Sequence, residues 1–394
     1  MGSHGIKDRV AIIGMGCTKF GEHWDRSAED LMIEAAYSAY ESAGVTPDDV
    51  DAYWLGTMGS GVSGLTLSEP LKIQYKPVSR VENMCATGSE SLRQAAYAVA
   101  SGAFDCVMAI GVEKLKDSGF SGLVMTNPPN DGTPASMTPP ALFSLLAPAY
   151  FKKYGLDPEK GRDVLARIAW KNHKNGAKNP KAQFQKEVSM EAIKNSAKIA
   201  DPLCVMDCSG VSDGSAAAIV VRAEDAHKYC KNPLYIKALS FVAGPAEGPI
   251  SQEYDFTTFP EVVATARDAY AQAGITNPRE QISLAEVHDC FTPTELVLYE
   301  DLGFSPRGTA WQDVLEGFFD LEGKLPVNSD GGLKSFGHPI GASGLRMMYE
   351  MWLQLRGEAG QRQINHPKLG LTHNLGGQPG RCVSFVSVVG SQLG

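Results

Sequence analysis

The sequence predicts an α/β fold made from one unit used twice, and three observations carry that prediction. Short apolar strands alternate with amphipathic helices. Arg9 to Gly14 reads as a buried strand, Ala28 to Ala43 as a helix ended by Gly44, and Asp51 to Gly56 as a second strand. A helix from about Ala86 to Ala100 and a strand over Asp105 to Gly111 follow. Tyr40-Glu-Ser-Ala-Gly-Val-Thr46 then returns as Tyr270-Ala-Gln-Ala-Gly-Ile-Thr276. Each copy is a helix end whose Gly C-cap leads into an apolar strand, Asp51 to Gly56 or Ser283 to His288. Ser91-Leu-Arg93 likewise returns as Gly344-Leu-Arg346, each inside a helix that follows a Gly-containing loop. The halves are expected to cover 5–230 and 231–394, meeting near 225–235, and the first is longer because of an insertion at about 114–203. The early part of that insertion is loop-like and rich in Gly, Pro, Ser and Thr; the later part reads as helical and basic.

Composition bounds the function. The chain has 394 residues, of which 43% are hydrophobic, enough for a large core and against global disorder. Its formal charge of −9 argues against nucleic acid as the main partner, since a phosphate backbone needs a basic footprint. No apolar run approaches a membrane span; Ala216 to Val221 is among the longest. The first residues lack a basic region followed by an apolar one, so no secretory signal is expected, and the cytoplasm is the expected location. The 8 cysteines are scattered, which suits a reducing compartment, and the close pair Cys204 and Cys208 has no partners to complete a zinc set. No metal is expected. Gly14-Met-Gly16 lacks the third glycine of a dinucleotide fingerprint, and no Walker loop occurs.

Four loops carry residues suited to chemistry. Cys85 precedes a helix whose buried face is Leu92, Ala95, Ala96 and Val99. Free N–H groups there are expected to stabilise a thiolate, or an oxyanion on a substrate that the sulfur attacks; a small core cysteine fits the same position. His338, before Pro339 in a Gly-rich loop, fits a base for a thiol or a structural histidine. His288 and Cys290 end the apolar strand Ile282 to Val287, where α/β folds collect ligands, although a polar strand end with a buried cysteine reads the same way. Asn374-Leu-Gly-Gly377 reads as a Gly loop after the strand Leu369 to His373. Together they supply a nucleophile, a base, a second acid/base thiol and oxyanion donors, the parts needed for carbon–carbon bond chemistry through a covalent thioester.

NMCATGSESL, VHDCF, GGLKSFGHPIGASG and NLGGQPG, in this order, resemble the signature loops of the thiolase superfamily, and the HDCF loop resembles its sterol-carrier-protein-type and archaeal-type branch. The likeness spans essentially the whole chain. It implies a five-layered αβαβα fold of two similar halves, as a homodimer or dimer of dimers. It implies that Cys85 attacks the 3-keto group of a 3-ketoacyl-CoA while His338 accepts its proton, and that coenzyme A then takes the acyl group. Cys290 would be the second acid/base, His288 with His338 would stabilise the enolate oxygen, and the N–H groups of Cys85 and Gly376 would form a second oxyanion hole. Many thiolases have a catalytic cysteine where this chain has Asn374, which fits the HDCF branch but leaves the second acid/base on Cys290 alone.

Relatives in this superfamily handle acetoacetyl-CoA, branched or sterol side chains, or aromatic acyl groups such as benzoylsuccinyl-CoA. Some work with a small zinc-binding OB-fold partner protein. Steroid side-chain aldolases of the superfamily lack the nucleophilic Cys and the GHP His, and this chain keeps both. A retro-aldol lyase and a non-catalytic acyl-CoA-binding scaffold are the alternatives. Arg167, Lys171, Lys174, Lys178 and Lys181, with Lys186, Lys194 and Lys198, face only Glu187 and Glu191 over Ala166 to Lys198. This basic stretch suits the phosphates of CoA, or a solvated helix face. The Met, Phe and Pro content of Phe120 to Phe143 suits a sizeable apolar pocket, and equally the packing of a loop.

Overall fold

The computed structural model describes residues 4–117, 138–248 and 251–394. Most of the stretch Phe120 to Phe143 therefore lies outside the described residues, and with it the apolar pocket expected there.

The strands are β1 (Val10–Cys17), β2 (Ala52–Gly56), β3 (Val78–Val81), β4 (Cys106–Glu113), a small hairpin of β5 (Lys198–Ala200) and β6 (Leu203–Cys204), β7 (Gly214–Arg222), β8 (Leu234–Ala243), β9 (Leu284–Glu286), β10 (Leu369–Gln378) and β11 (Arg381–Gly390). All but the hairpin join in the order β3-β2-β4-β7-β1-β8-β11-β10-β9. The duplication is visible in that order. β1 is antiparallel to β7, β7 antiparallel to β4, and β4 parallel to β2. In the same sequence β8 is antiparallel to β11, β11 antiparallel to β10, and β10 parallel to β9. A short seam joins the sets, Ala11 opposite Tyr235 and Ile12 opposite Leu234.

The helices that place the site are α1 (Ala28–Ala43), α2 (Thr87–Ala100), α3 (Pro158–Gly176), α4 (Pro260–Ala273), α5 (Thr292–Asp301), α6 (Gly332–Phe336) and α7 (Ser343–Arg356). α1 packs on β1 and β7, α2 on β4 and β2, α7 on β10 and against α2, and α4 on β8 and β11. The layers are thus α1, first sheet, α2 with α7, second sheet, α4. Strands β1, β4 and nearly all of β7 are buried because helices cover both of their faces, which is why they read as unbroken apolar runs.

Local chemistry explains the helix limits. Ser27 accepts the Asp30 N–H while the Asp30 carboxylate accepts the Ser27 N–H, a reciprocal cap on α1. The two copies of the internal repeat end alike: Gly44 at φ 67 and Gly274 at φ 78 donate their N–H groups to the carbonyls of Tyr40 and Tyr270. Two expectations change. The strand before His288 is only Leu284–Glu286, and Asn374 to Gly377 is strand rather than loop. β11 pairs with β10 along its whole length, Asn374 opposite Phe385 and Gly376 opposite Val383, so the chain turns only beyond Gln378.

Candidate active site

Cys85 lies just before α2, after Met84, whose backbone is left-handed at φ 51. The helix start does not yield the expected thiolate. Burial pushes the Cys85 thiol up to about 12, and the carboxylates of Glu113 and Glu82 act in the same direction. These shifts favour the neutral thiol over the thiolate for the resting sulfur.

Glycines bring the other loops to this point. A Cβ on Gly341 would lie 2.4 Å from the Val112 carbonyl oxygen and 2.6 Å from that of Gly56, and one on Gly88 would lie 2.8 Å from the Gly341 oxygen. The GHPIG loop therefore rests backbone-to-backbone on the ends of β2 and β4 and the first turn of α2, which no side chain would permit. Glu113 ties this junction: its carboxylate accepts from the N–H of Gly341 at 3.1 Å, of Met58 at 3.1 Å and of Gly59 at 2.8 Å, and from the hydroxyls of Thr57 and Ser60. Gly376 is pressed on the nucleophile loop from the other side, where a Cβ would lie 2.3 Å from the Asn83 carbonyl oxygen.

His338 is held at both ends. Its backbone N–H donates to Ser212 Oγ at 3.0 Å, and its Nδ1 lies 2.7 Å from Ser343 Oγ, whose hydroxyl donates to the Pro339 carbonyl at 2.9 Å. With its hydrogen committed, Ser343 Oγ can only accept, so Nδ1 carries the ring hydrogen and Nε2 presents a lone pair. Nε2 is buried and, among the described residues, without a hydrogen-bond partner. Burial, aided by the Arg346 charge, holds His338 down at about 3, so the ring is neutral at rest.

His288 meets His338 edge to face, ring centroids 5.4 Å apart, and one donor atom each from Cys85, His288 and His338 lie within 4.8 Å of one another. Burial, then the neighbouring His338, holds His288 well below the usual histidine range. Cys290 is buried, with its sulfur 3.9 Å from Thr294 Oγ1, and burial, then Cys85, pushes it well up. Asp289 of the same loop accepts the N–H groups of Leu333 at 2.6 Å and Lys334 at 3.2 Å, capping α6, and accepts from Asn172 Nδ2 at 2.8 Å. The loop with His288 and Cys290 is thereby clamped to the segment that carries His338. Asp289, Asn172, Ser343, Ser212 and Glu113 were not singled out from sequence. Of these, Asp289 inside the HDCF motif and Ser343 inside the GHPIGASG motif carried a signal.

A family model described as "Thiolase, N-terminal domain" matches residues 10–224, and one described as "Thiolase C-terminal domain-like" matches residues 245–387. The chain belongs to the thiolase family. It is 39% identical over 380 residues to "Acetyl-CoA acetyltransferase" of Methanothermobacter thermautotrophicus, covering 94% of this chain and 97% of that protein. It is 34% identical over 391 residues to "Sterol carrier protein 2" of Homo sapiens, covering 93% of this chain and 70% of that protein. Among solved structures, one described as "Ltp2-ChsH2(DUF35) aldolase" superposes with a TM-score of 0.83 at 28% identity, covering 98% of each chain. The likeness to the sterol-carrier-protein-type and archaeal branch, and the assignment as an acyltransferase, rest on these relatives.

In this thiolase the basic stretch is not a free cationic surface. Lys171 is buried, donating to Glu295 at 2.6 Å and to the Val327 carbonyl at 2.6 Å, which removes it as a phosphate ligand. Arg167 pairs with Asp320 and stacks on Trp170. Lys174 and Lys178 reach Glu322 at 4.0 and 3.6 Å, and Lys181 donates to the Cys17 carbonyl. Arg167, Lys171 and Lys174 on α3 are thus paired with carboxylates far away in sequence. A cavity of about 860 Å³ lies beside the insertion, lined by Phe184, Val188, Val205, Met206, Ser209 and Lys334, with Lys19 and Lys186 exposed in its wall. It adjoins the reaction centre, because the Ser209 N–H donates to the Cys290 carbonyl at 2.8 Å. Among the described residues no helix is long and apolar enough to cross a membrane.

Proposed function

We propose that this thiolase cleaves or forms a 3-ketoacyl-CoA through an acyl thioester on Cys85. The observation that carries the reading is the free Nε2 of a neutral His338 in a cluster with Cys85 and His288. In cleavage, the Cys85 thiol gives its proton to His338 Nε2 and its sulfur attacks the 3-keto carbon, with the oxyanion between the N–H groups of Cys85 and Gly376. The carbon–carbon bond breaks, its electron pair becomes the enolate of the departing thioester, and the enolate oxygen is met by His288 and His338. Cys290 protonates the enolate carbon. The thiol of coenzyme A then passes its proton to Cys290 and attacks the acyl group, and Cys85 leaves and recovers its proton from His338.

The arm of coenzyme A enters by the cavity beside Ser209, and Lys19 and Lys186 meet its phosphates in place of the paired residues of the basic stretch. Acetoacetyl-CoA is the first substrate to try, given the archaeal relative's description. A bulkier aromatic substrate such as benzoylsuccinyl-CoA is the second. The aldolase among the structural neighbours supports a retro-aldol reading and a partner protein, but Cys85 and His338 favour thiolysis. The chain acts as a homodimer in the cytoplasm, its halves 5–230 and 231–394 each giving loops to one site.

Intact-protein mass spectrometry after incubation with 3-ketoacyl-CoA thioesters, without free coenzyme A, tests the reading. An acyl adduct on the wild type and none on Cys85→Ala supports it, and the added mass names the acyl group. No adduct from any thioester, with or without candidate partners, overturns it and brings the aldolase or scaffold reading forward.

A further inference from the structure

Asn374 does no acid/base chemistry, yet it is fully buried beside the cluster. Its Oδ1 accepts a hydrogen bond from Ser89 Oγ at 2.6 Å, which commits the other end of the amide, Nδ2, to donating. Nδ2 lies 3.3 Å from His288 Nδ1. A donor at that distance requires a lone pair on Nδ1, so the hydrogen of the neutral His288 ring sits on Nε2, the nitrogen left for the reaction centre. His338 is held in the opposite tautomer by Ser343. The two histidines therefore face the cluster with opposite capabilities, one donating and one accepting. The backbone is shaped for this: a Cβ on Gly344 would lie 2.2 Å from Ser89 Oγ and 2.6 Å from Asn374 Oδ1.

We infer that Asn374, oriented by Ser89, is a positioning residue that keeps His288 as an Nε2–H donor toward the thioester oxygen, and so also keeps the Cys85, His288 and His338 cluster from taking up a thiophilic metal ion. A three-ligand Cys/His/His set is a common zinc environment, but a metal needs the lone pair of each ring nitrogen it binds. With Nε2 of His288 protonated, the cluster offers two such atoms rather than three. This inference rests on the thiolase reading for its catalytic part and is independent of it for the tautomer.

The test compares the full-length wild type with Asn374→Asp and Ser89→Ala. At 374 an aspartate keeps the acceptor for Ser89 and turns a second acceptor to His288, which draws the ring hydrogen to Nδ1. Nitrogen NMR of histidine-labelled protein, assigned with His288→Asn, reads the tautomer directly. The expected result is Nε2–H in the wild type and Nδ1–H in Asn374→Asp. Exchange of the α-protons of acetyl-CoA with deuterium should fall about 100-fold in Asn374→Asp, the cost of one oxyanion donor, and about 10-fold in Ser89→Ala. Acylation of Cys85 by acetyl-CoA, which expels a thiol rather than an enolate and uses backbone donors, should stay within about threefold. Cobalt(II), followed by its thiolate absorption, should bind Asn374→Asp more tightly than the wild type. A hydrogen on Nδ1 of His288 in the wild type, an unchanged tautomer in Asn374→Asp, or equal cobalt affinity overturns the inference. A wild type with the expected tautomer that neither acylates nor exchanges protons overturns the thiolase reading alone.

Discussion

Ser343 takes the Nδ1 hydrogen of His338 and gives its own hydroxyl hydrogen to the Pro339 carbonyl, so one hydroxyl fixes which nitrogen of the base faces Cys85. Ser343 is the first residue of α7, and the bond to Pro339 doubles as a lock on the turn before the helix.

Replacing Ser343 by Ala should release the ring to both tautomers and leave Nδ1 unpartnered in a buried site. The expected effect is a fall in kcat of about 10-fold, part of what a positioned base contributes, with KM little changed. Ser343→Thr keeps the hydroxyl and should restore most of the rate. A KM effect alone in Ser343→Ala would show that the contact shapes binding and not proton transfer.

The raised Cys85 thiol gives a second expectation. Its value near 12 keeps the thiolate a minor species through neutral pH, so alkylation by iodoacetamide should rise about tenfold per pH unit from pH 7 to 10 with no plateau. Glu113 contributes to the elevation through its charge, so Glu113→Gln should lower the thiol's value and speed alkylation at pH 8. Slower alkylation in Glu113→Gln would mean that the loop ties made by Glu113 outweigh its field.

What the sequence made legible follows physical lines. Gly44 and Gly274 repeat because each copy needs a left-handed residue at the same helix end, and a lone Cβ-free position is visible in a string of letters. Cys85 stood out because it precedes an amphipathic helix and His338 because a Gly-rich loop surrounds it, and Gly88 and Gly341 of those segments turn out to be backbone contacts. The state of Cys85 was not legible, since desolvation is set by the segments around Gly341 and Gly376, which meet it only in three dimensions. Lys171 failed for a similar reason: its partner Glu295 lies on another helix, and a run of positive charge does not say which members face inward. Asn374 and Ser343 have hydrogen-bond roles that depend on orientation, which no spacing pattern encodes.

The buried histidines set an acid limit on stability. His173, His338 and His373 are each held down at about 3, chiefly by burial. Unfolding restores an ordinary value near 6.5, so below that pH the unfolded chain binds protons that the folded chain refuses. The stability these neutral rings allow is complete above pH 6.5 and is lost as pH falls toward 3, at up to about 1.4 kcal/mol per pH unit for each ring. The urea midpoint should therefore drop steeply between pH 6.5 and 4, and His373→Gln should flatten that slope. An unchanged slope would mean that His373 is protonated in the folded state.

The exposed edge of the sheet yields the last expectation. Among the described residues β3 is the outermost strand on one side of the sheet, and it pairs with β2. Around it Val62 is 92% exposed, Leu65 72% exposed and Tyr75 fully exposed. An open strand edge rimmed by large apolar side chains is suited to pairing, and the homodimer proposed above would form through it. Met84 is exposed on the chain leading from β3 to Cys85. The wild type should run as twice 42.2 kDa in light scattering. The double variant Leu65→Glu, Tyr75→Glu should run as a single chain. A wild type that is monomeric at micromolar concentration, or a double variant that stays dimeric, would place the contact between subunits elsewhere on the molecule.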